Sequence, residues 1–234
     1  MARKSCAEKT SPPYWKTFLI SPQRISVPSE FTYGTFANYS PRGTSEPSQR
    51  SRIITAAIKA GRVSQIEQMI PRLAEPAAAI LEPFLNPNVM LVPVPRSAPI
   101  KEDALWPSKV VTDILCAAGC GAGVEALITR ISPVRKSAFA AVGERPLVHT
   151  HKESFRVRSD LLPPGQITLV DDVLTKGATT AACAELLQEE YPNATIRIFA
   201  VMRTRGFVDD IETVFDPCVG RIVSHASGNP YREP

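Results

Sequence analysis

Two adjacent carboxylates, Asp171 and Asp172, stand between an apolar run and a turn dense in hydroxyls, and no other stretch of the chain converges so clearly on a chemistry. The apolar run, Gln166-Ile167-Thr168-Leu169-Val170, reads as a strand. After Val173-Leu174 comes Thr175-Lys176-Gly177-Ala178-Thr179-Thr180, which opens a helix. Paired acids can accept hydrogen bonds from two neighbouring sugar hydroxyls. The turn offers backbone N–H groups, hydroxyls and the positive end of a helix dipole to a phosphate. Gly177 lets the backbone approach that phosphate closely, because it has no side chain in the way. Adjacent acids repel, and solvent or a cation must offset the repulsion, which favours a ligand site over a structural one. A plain helix cap by Thr175 or Thr179 would leave the density of the Thr-Lys-Gly-Ala-Thr-Thr run without purpose.

The elements that must hold this run can be read from pattern. Alternation through Phe31-Thr32-Tyr33-Gly34-Thr35-Phe36 predicts a β-hairpin with Gly34 near its turn, followed by a loop over residues 40–50. Ile54, Ala57 and Ile58 share a helical face, and Gly61 fits the stop. A helical region from Val63 is broken by Pro71 and Pro76, with Pro76 placed in the first turn of a further helix. Val89 to Pro95 reads as a buried strand ending in prolines, and Pro107 starts a helix that Gly119 stops. Residues 131–160 are polar, basic and without period, which predicts a long loop of the kind that is functional or mobile. A helix is expected from Ala178 to Glu190 and a strand over Thr195 to Val201. Strand, helix and strand in this order predict an α/β fold with a parallel β-sheet flanked by helices. Ligands of such sheets sit beyond the carboxyl ends of the strands. The acid pair lies at one such end and the Pro95-Arg96-Ser97 turn at another, so both point to one rim.

Bulk properties narrow the function class. The chain has 234 residues, 44% hydrophobic and 21% charged, enough for one α/β domain with a real core. A net charge of +4 fits anionic substrates and does not demand nucleic acid. No apolar run is long enough to span a membrane and no signal core follows Met1, so a cytoplasmic protein is expected. The five cysteines (Cys6, Cys116, Cys120, Cys183, Cys218) then read as reduced thiols. Cys116 and Cys120 lie four apart on a helix, with no second pair or nearby His to complete a zinc site. His149 and His151 flank Thr150 without a third metal ligand, and a surface role is expected of both.

The acids, the apolar pair and the Thr-x-Gly-x-Thr loop resemble the phosphoribosyl-pyrophosphate (PRPP) signature of type I phosphoribosyltransferases. A phosphoacceptor receiver domain also uses paired acids, a Thr and a Lys. It places its acids after the first strand and its other residues far along the chain, unlike the contiguous run here. The wider pattern is similar to the competence-protein-F-like (ComF-like) branch. Tyr39, a helix from Ile53 to Lys59, Pro93-Val94-Pro95, and Arg130, Arg135, Lys136, Arg145 and Phe155 stand in comparable places, over about residues 36–204. Departures are Glu102-Asp103-Ala104-Leu105-Trp106 where the branch carries Arg-Gly-Phe-Asn, Lys176 for a loop Thr, and Cys6 alone where a cysteine-rich zinc element often begins the chain.

The resemblance implies a type I phosphoribosyltransferase fold with a small variable hood built from the chain ends. Residues 1–50 would be an extension and hood or hairpin segment, 51–204 the core, and 205–234 a tail able to contribute to the hood. It implies that Asp171 and Asp172 bind the ribose hydroxyls and orient Mg²⁺, largely through PRPP and water. Thr175, Lys176, Gly177, Ala178, Thr179 and Thr180 would cradle the 5′-phosphate. Arg96, Ser97, Arg135 and Lys136 would meet pyrophosphate, with Arg130 and Arg145 in the same basic segment. Trp15, Tyr33, Phe36 and Phe215 are aromatic side chains available for stacking a base. The implied reaction transfers a 5-phosphoribosyl group to a nucleobase or related nitrogen heterocycle, and a homodimer is implied by the same likeness. Two other roles fit the scaffold: a non-catalytic PRPP or nucleotide sensor, and a ComF-like accessory protein that binds single-stranded DNA.

Overall fold

The computed structural model describes residues 29–134, 146–159, 164–206, 208–224 and 229–233. Nine strands and five α-helices are found among them: β1 (Ser29–Tyr39), α1 (Glu46–Lys59), α2 (Val63–Glu67), β2 (Met90–Pro93), α3 (Pro107–Ala117), β3 (Gly123–Val124), β4 (Ile128–Arg130), α4 (Val148–Glu153), β5 (Phe155–Val157), β6 (Gln166–Leu174), α5 (Ala178–Glu190), β7 (Thr195–Thr204), β8 (Phe215–Ser224) and β9 (Pro230–Glu233). Two 3₁₀ turns, Ile70–Ala74 and Pro76–Leu81, lie between α2 and β2. Seven strands form one sheet in the order β3-β2-β6-β7-β1-β8-β9. Neighbours from β3 through β1 run parallel, and β8 and β9 are added antiparallel. The expected α/β fold, a parallel sheet flanked by helices, is therefore present.

The central strands are buried on both faces, which explains why β6 reads as a continuous apolar run rather than an alternating one. Ile167, Leu169, Ile198 and Ala200 face Ala181, Ala184 and Leu187 of α5. Val170, Phe199 and Val201 face Ile58, Ile66, Val111 and Leu115 on the other side. The alanines of α5 let that helix lie close to the sheet. Leu187 is fully buried, so its truncation to Ala would cost about 2–5 kcal/mol.

Several expectations are corrected. The hairpin about Gly34 is one continuous strand, β1, inserted between β7 and β8. Gly34 is there for space: a Cβ would lie 2.9 Å from Phe84 Cδ2 and 3.0 Å from Leu81 Cδ2. The loop over 40–50 ends early, because Ser45 accepts a hydrogen bond from the Ser48 N–H and caps α1. The segment at Pro76 is a 3₁₀ turn rather than an α-helix. Residues 131–160 are not one loop: α4 and β5 fall inside them, and β5 pairs antiparallel with β4.

The segment after residue 204 is tied into the sheet. Arg203 is buried, donating to Thr35 Oγ1 (3.0 Å) and to Asp216 Oδ2 (2.7 Å), so one guanidinium joins β7, β1 and β8. Among the described residues no helix is long and apolar enough to cross a membrane.

Gly34→Ala is expected to lower unfolding free energy by about 1–3 kcal/mol, because Phe84 and Leu81 are themselves fully buried and cannot yield. Urea denaturation measures this, and an unchanged midpoint would contradict the close-packing explanation.

Candidate functional site

Parallel register brings the expected residues to one edge. Pro93 of β2 lies beside Val170 of β6, so the Pro95–Ser97 turn and the Asp171–Asp172 pair leave the sheet on the same side. Asp171 is level with Ala200 of β7, and Ala200 with Thr35 of β1. The acids do not end their strand as expected: β6 runs past the pair to Leu174.

The two acids are held differently. Asp171 Oδ1 accepts from the Asp172 N–H (2.9 Å) and from the Ser108 hydroxyl (3.3 Å) in the first turn of α3. Asp172 Oδ1 accepts from the Val173 N–H (2.8 Å), and its Oδ2 meets Lys59 Nζ at 3.3 Å. Lys59 closes α1, so the helix delivers a cation to the pair. Burial first, and then the Asp172 charge, push the Asp171 carboxyl above its ordinary value; the Asp172 N–H and Lys59 oppose the rise.

The loop after β6 has the form a phosphate site needs. Gly177 adopts φ +91° at the start of α5, and no side chain caps that helix. A Cβ on Gly177 would also lie 2.8 Å from Ile222 Cδ1, so both conformation and space require glycine. Thr180 is buried and its hydroxyl turns inward to donate to the Gly177 carbonyl (3.0 Å). Thr175 and Lys176 are exposed, and Ala178 and Thr179 are half-buried. The first-turn N–H groups of α5 are thus left without a side-chain capping oxygen, the arrangement that attracts an anion.

Arg96 is exposed and Ser97 half-buried on the turn after β2. The turn is braced from beneath. Arg130 Nε donates to the Arg96 carbonyl, the Val134 N–H donates to the Ser97 carbonyl (2.8 Å), and Trp106 Nε1 donates to the Val94 carbonyl (2.8 Å). Arg135, Lys136, Arg145, Trp15 and Cys6 lie outside the described residues.

Arg130, expected in a basic segment that meets pyrophosphate, is instead buried under the Pro95–Ser97 turn: it is 2% exposed, its guanidinium carbon lies 4.0 Å from the Phe155 ring centroid, and burial lowers its pKa to about 10. His151 is not a surface residue: it is 3% exposed on α4, with Nε2 3.3 Å from Thr179 Oγ1. The sequence picked out both residues but not their burial. Ser108 joins the acid pair unannounced, and Lys59, matched in the sequence only as the end of a helix, proves to pair with Asp172. Tyr33 and Phe36 are core residues. Phe215 is half-buried, 5.3 Å from the Phe36 centroid, and Arg72 lies 4.4 Å over its ring.

Among the described residues no group of three or more His, Cys, Asp or Glu gathers as a metal cluster. The acid pair alone offers hard oxygen donors, which suits Mg²⁺: this ion keeps most of its waters and takes one or two carboxylates together with substrate phosphates.

No family model matches the chain, and no curated protein matches it. Among solved structures it is similar to a hypoxanthine phosphoribosyltransferase from Staphylococcus aureus, with 13% identity and a TM-score of 0.34 over 64% of this chain and 70% of that one. It is also similar to an adenine phosphoribosyltransferase from Leishmania donovani, with 13% identity and a TM-score of 0.29 over 76% of this chain and 84% of that one. Likeness this weak carries no weight beside the chain's own residues.

The raised Asp171 carboxyl has a consequence for stability. The folded state holds this proton above the ordinary value of 3.8, where the unfolded chain has released it, so the group lowers stability as pH rises from that value toward its raised one. Asp171→Asn is expected to unfold at higher denaturant concentration than wild type at pH 8, with the difference shrinking as the pH is lowered toward 4. A variant less stable than wild type at pH 8 would contradict the strained-acid description.

Proposed function

We propose that the chain is a PRPP-dependent phosphoribosyltransferase, which transfers the 5-phosphoribosyl group to a nucleobase or related nitrogen heterocycle and releases pyrophosphate. The observation that carries this is a juxtaposition. A strained, half-buried acid pair on a central parallel strand stands a short loop before an uncapped helix N-terminus opened by the left-handed Gly177. Sugar hydroxyls and a phosphate one bond away from the sugar are what such a surface complements.

In this assignment the amides of Thr175 to Thr180 and the Thr179 hydroxyl hold the 5′-phosphate. Asp171 and Asp172 accept hydrogen bonds from the ribose 2′- and 3′-hydroxyls. Anchoring both ends of the ribose phosphate fixes C1′, and positioning of this kind lowers the barrier without a nucleophile from the protein. The C1′–O bond to pyrophosphate breaks as a bond from the acceptor nitrogen forms, and positive charge gathers on the ring in between. The nearby carboxylates stabilise that charge. Arg96 and Ser97, on the braced turn beyond β2, lie on the same edge and would meet the departing pyrophosphate, as would Arg135 and Lys136. Mg²⁺, held by Asp171 and Asp172 through water and substrate, would neutralise the leaving group. Lys59 balances Asp172 before ligands arrive and is free to turn to the substrate's phosphates, since it is half-exposed. The ComF-like pattern of the sequence fits this chemistry and leaves the acceptor base open.

Isothermal titration with PRPP in the presence and absence of Mg²⁺ tests the assignment, followed by a pyrophosphate-release assay over a panel of bases. Saturable, Mg²⁺-dependent binding is expected, and Asp171→Asn/Asp172→Asn should weaken it by about a hundredfold or more. Failure of the folded wild type to bind PRPP would overturn the proposal.

A further inference from the structure

The ribbon of β4 and β5, with α4 between its strands in the chain, places a buried polar group against the first turn of α5. Arg130 and Phe155 are register partners across the ribbon. Arg130 Nη1 donates to Ser154 Oγ at 2.5 Å, and no carboxylate pairs with Arg130 among the described residues. His151 lies roughly parallel to Phe155, with centroids 6.2 Å apart and an interplanar angle of 19°. Its Nε2 reaches Thr179 Oγ1 at 3.3 Å, while its Nδ1 is buried without a partner.

That orphaned nitrogen identifies the tautomer. A buried N–H with no acceptor costs more than a bare ring nitrogen, and orphaned donors are the rarer of the two in folded proteins. The proton therefore belongs on Nε2, where it is donated to Thr179 Oγ1. The ring is also neutral: burial, and secondarily the Arg130 charge, lower its pKa to about 4. Arg130 and Cys183 are the charged and titratable groups that bear on this pocket from the ribbon and from α5. Burial and the Asp171 charge raise the Cys183 thiol, with Arg130 opposing, so it stays protonated.

An Nε2–H donor fixes the use of Thr179. Thr179 Oγ1 receives the histidine proton, so its own O–H must point elsewhere. Among the described residues the Thr179 hydroxyl has no backbone carbonyl as partner, its one side-chain contact being His151, and Thr179 stands half-buried in the uncapped first turn of α5. We propose that His151 is a positioning residue that holds the Thr179 hydroxyl with its proton aimed at the anion bound on α5, so that this hydroxyl donates to the 5′-phosphate. This rests on the phosphoribosyl assignment above and adds to it a residue that touches no substrate.

Two measurements on the full chain test it. Imidazole ¹⁵N NMR of unliganded wild type is expected to show His151 as the neutral Nε2–H tautomer at pH 6, and an Nδ1–H tautomer or an imidazolium there would overturn the inference alone. Titration with ribose 5-phosphate is expected to bind about tenfold more weakly in both Thr179→Val and His151→Phe, with no further loss in the double variant. His151→Gln, whose amide N–H can still donate to Thr179 Oγ1, should recover most of the affinity. Wild-type affinity in His151→Phe, or full additivity in the double variant, would overturn the inference while leaving the phosphoribosyl assignment standing. Failure of wild type to bind either ribose 5-phosphate or PRPP would overturn both.

Discussion

Two carboxylates on consecutive residues of a central strand repel each other in surroundings that already disfavour charge, and the rest of the rim answers that constraint. Each acid takes a backbone N–H from the residue after it, Asp171 a Ser108 hydroxyl, and Asp172 the Lys59 ammonium. These contacts draw the end of α1 and the start of α3 to the same point. They do not fully offset the strain, because Asp171 still holds its proton above its ordinary range. A surface in this condition gains most from a ligand that brings hydroxyl donors and a cation.

The second half of the rim is organised by what is missing. Helix α5 starts at a left-handed glycine with no capping side chain, and the one hydroxyl that turns back to the helix, that of Thr180, donates to a carbonyl rather than accepting from an amide. Its first N–H groups are therefore left for an anion. Packing makes the gap rigid: Ile222 of β8 occupies the space where a side chain on Gly177 would go, and the alanine-rich inner face of α5 lies flat on β6 and β7. The antiparallel strands at the far edge thus support the loop before α5 from behind. The Arg203–Asp216 ion pair keeps that edge joined to the parallel core.

Much of the rim was legible in the chain because its signals are local. The run from Gln166 to Glu190 contains its own strand, turn and helix, and the structure places α5 where the pattern put it and starts β6 at Gln166, though that strand runs on through the acids to Leu174. Gly34 misled because an alternating stretch broken by glycine reads as a turn, whereas the glycine answers Phe84, fifty residues away in the chain. The burial of Arg130 and His151 was illegible for a related reason. A basic, aperiodic stretch reads as solvated, and only the fold supplies the Phe155 ring, Ser154 and Thr179 that make burial of these groups tolerable. Lys59 was legible as the end of a matching helix, but its pairing with Asp172 needed the meeting of α1 with β6, which no pattern within either segment encodes.

The central claim is that one edge of the sheet binds the two ends of a ribose phosphate through the acid pair and the α5 amides. Residue-resolved amide hydrogen exchange with and without PRPP and Mg²⁺ tests it most directly, since it reads the backbone groups themselves. The account predicts slowed exchange at Thr175 to Thr180 and at Asp172 and Val173 on addition of ligand, with little change at β9. Protection confined to other segments, or none at saturating PRPP, would contradict it.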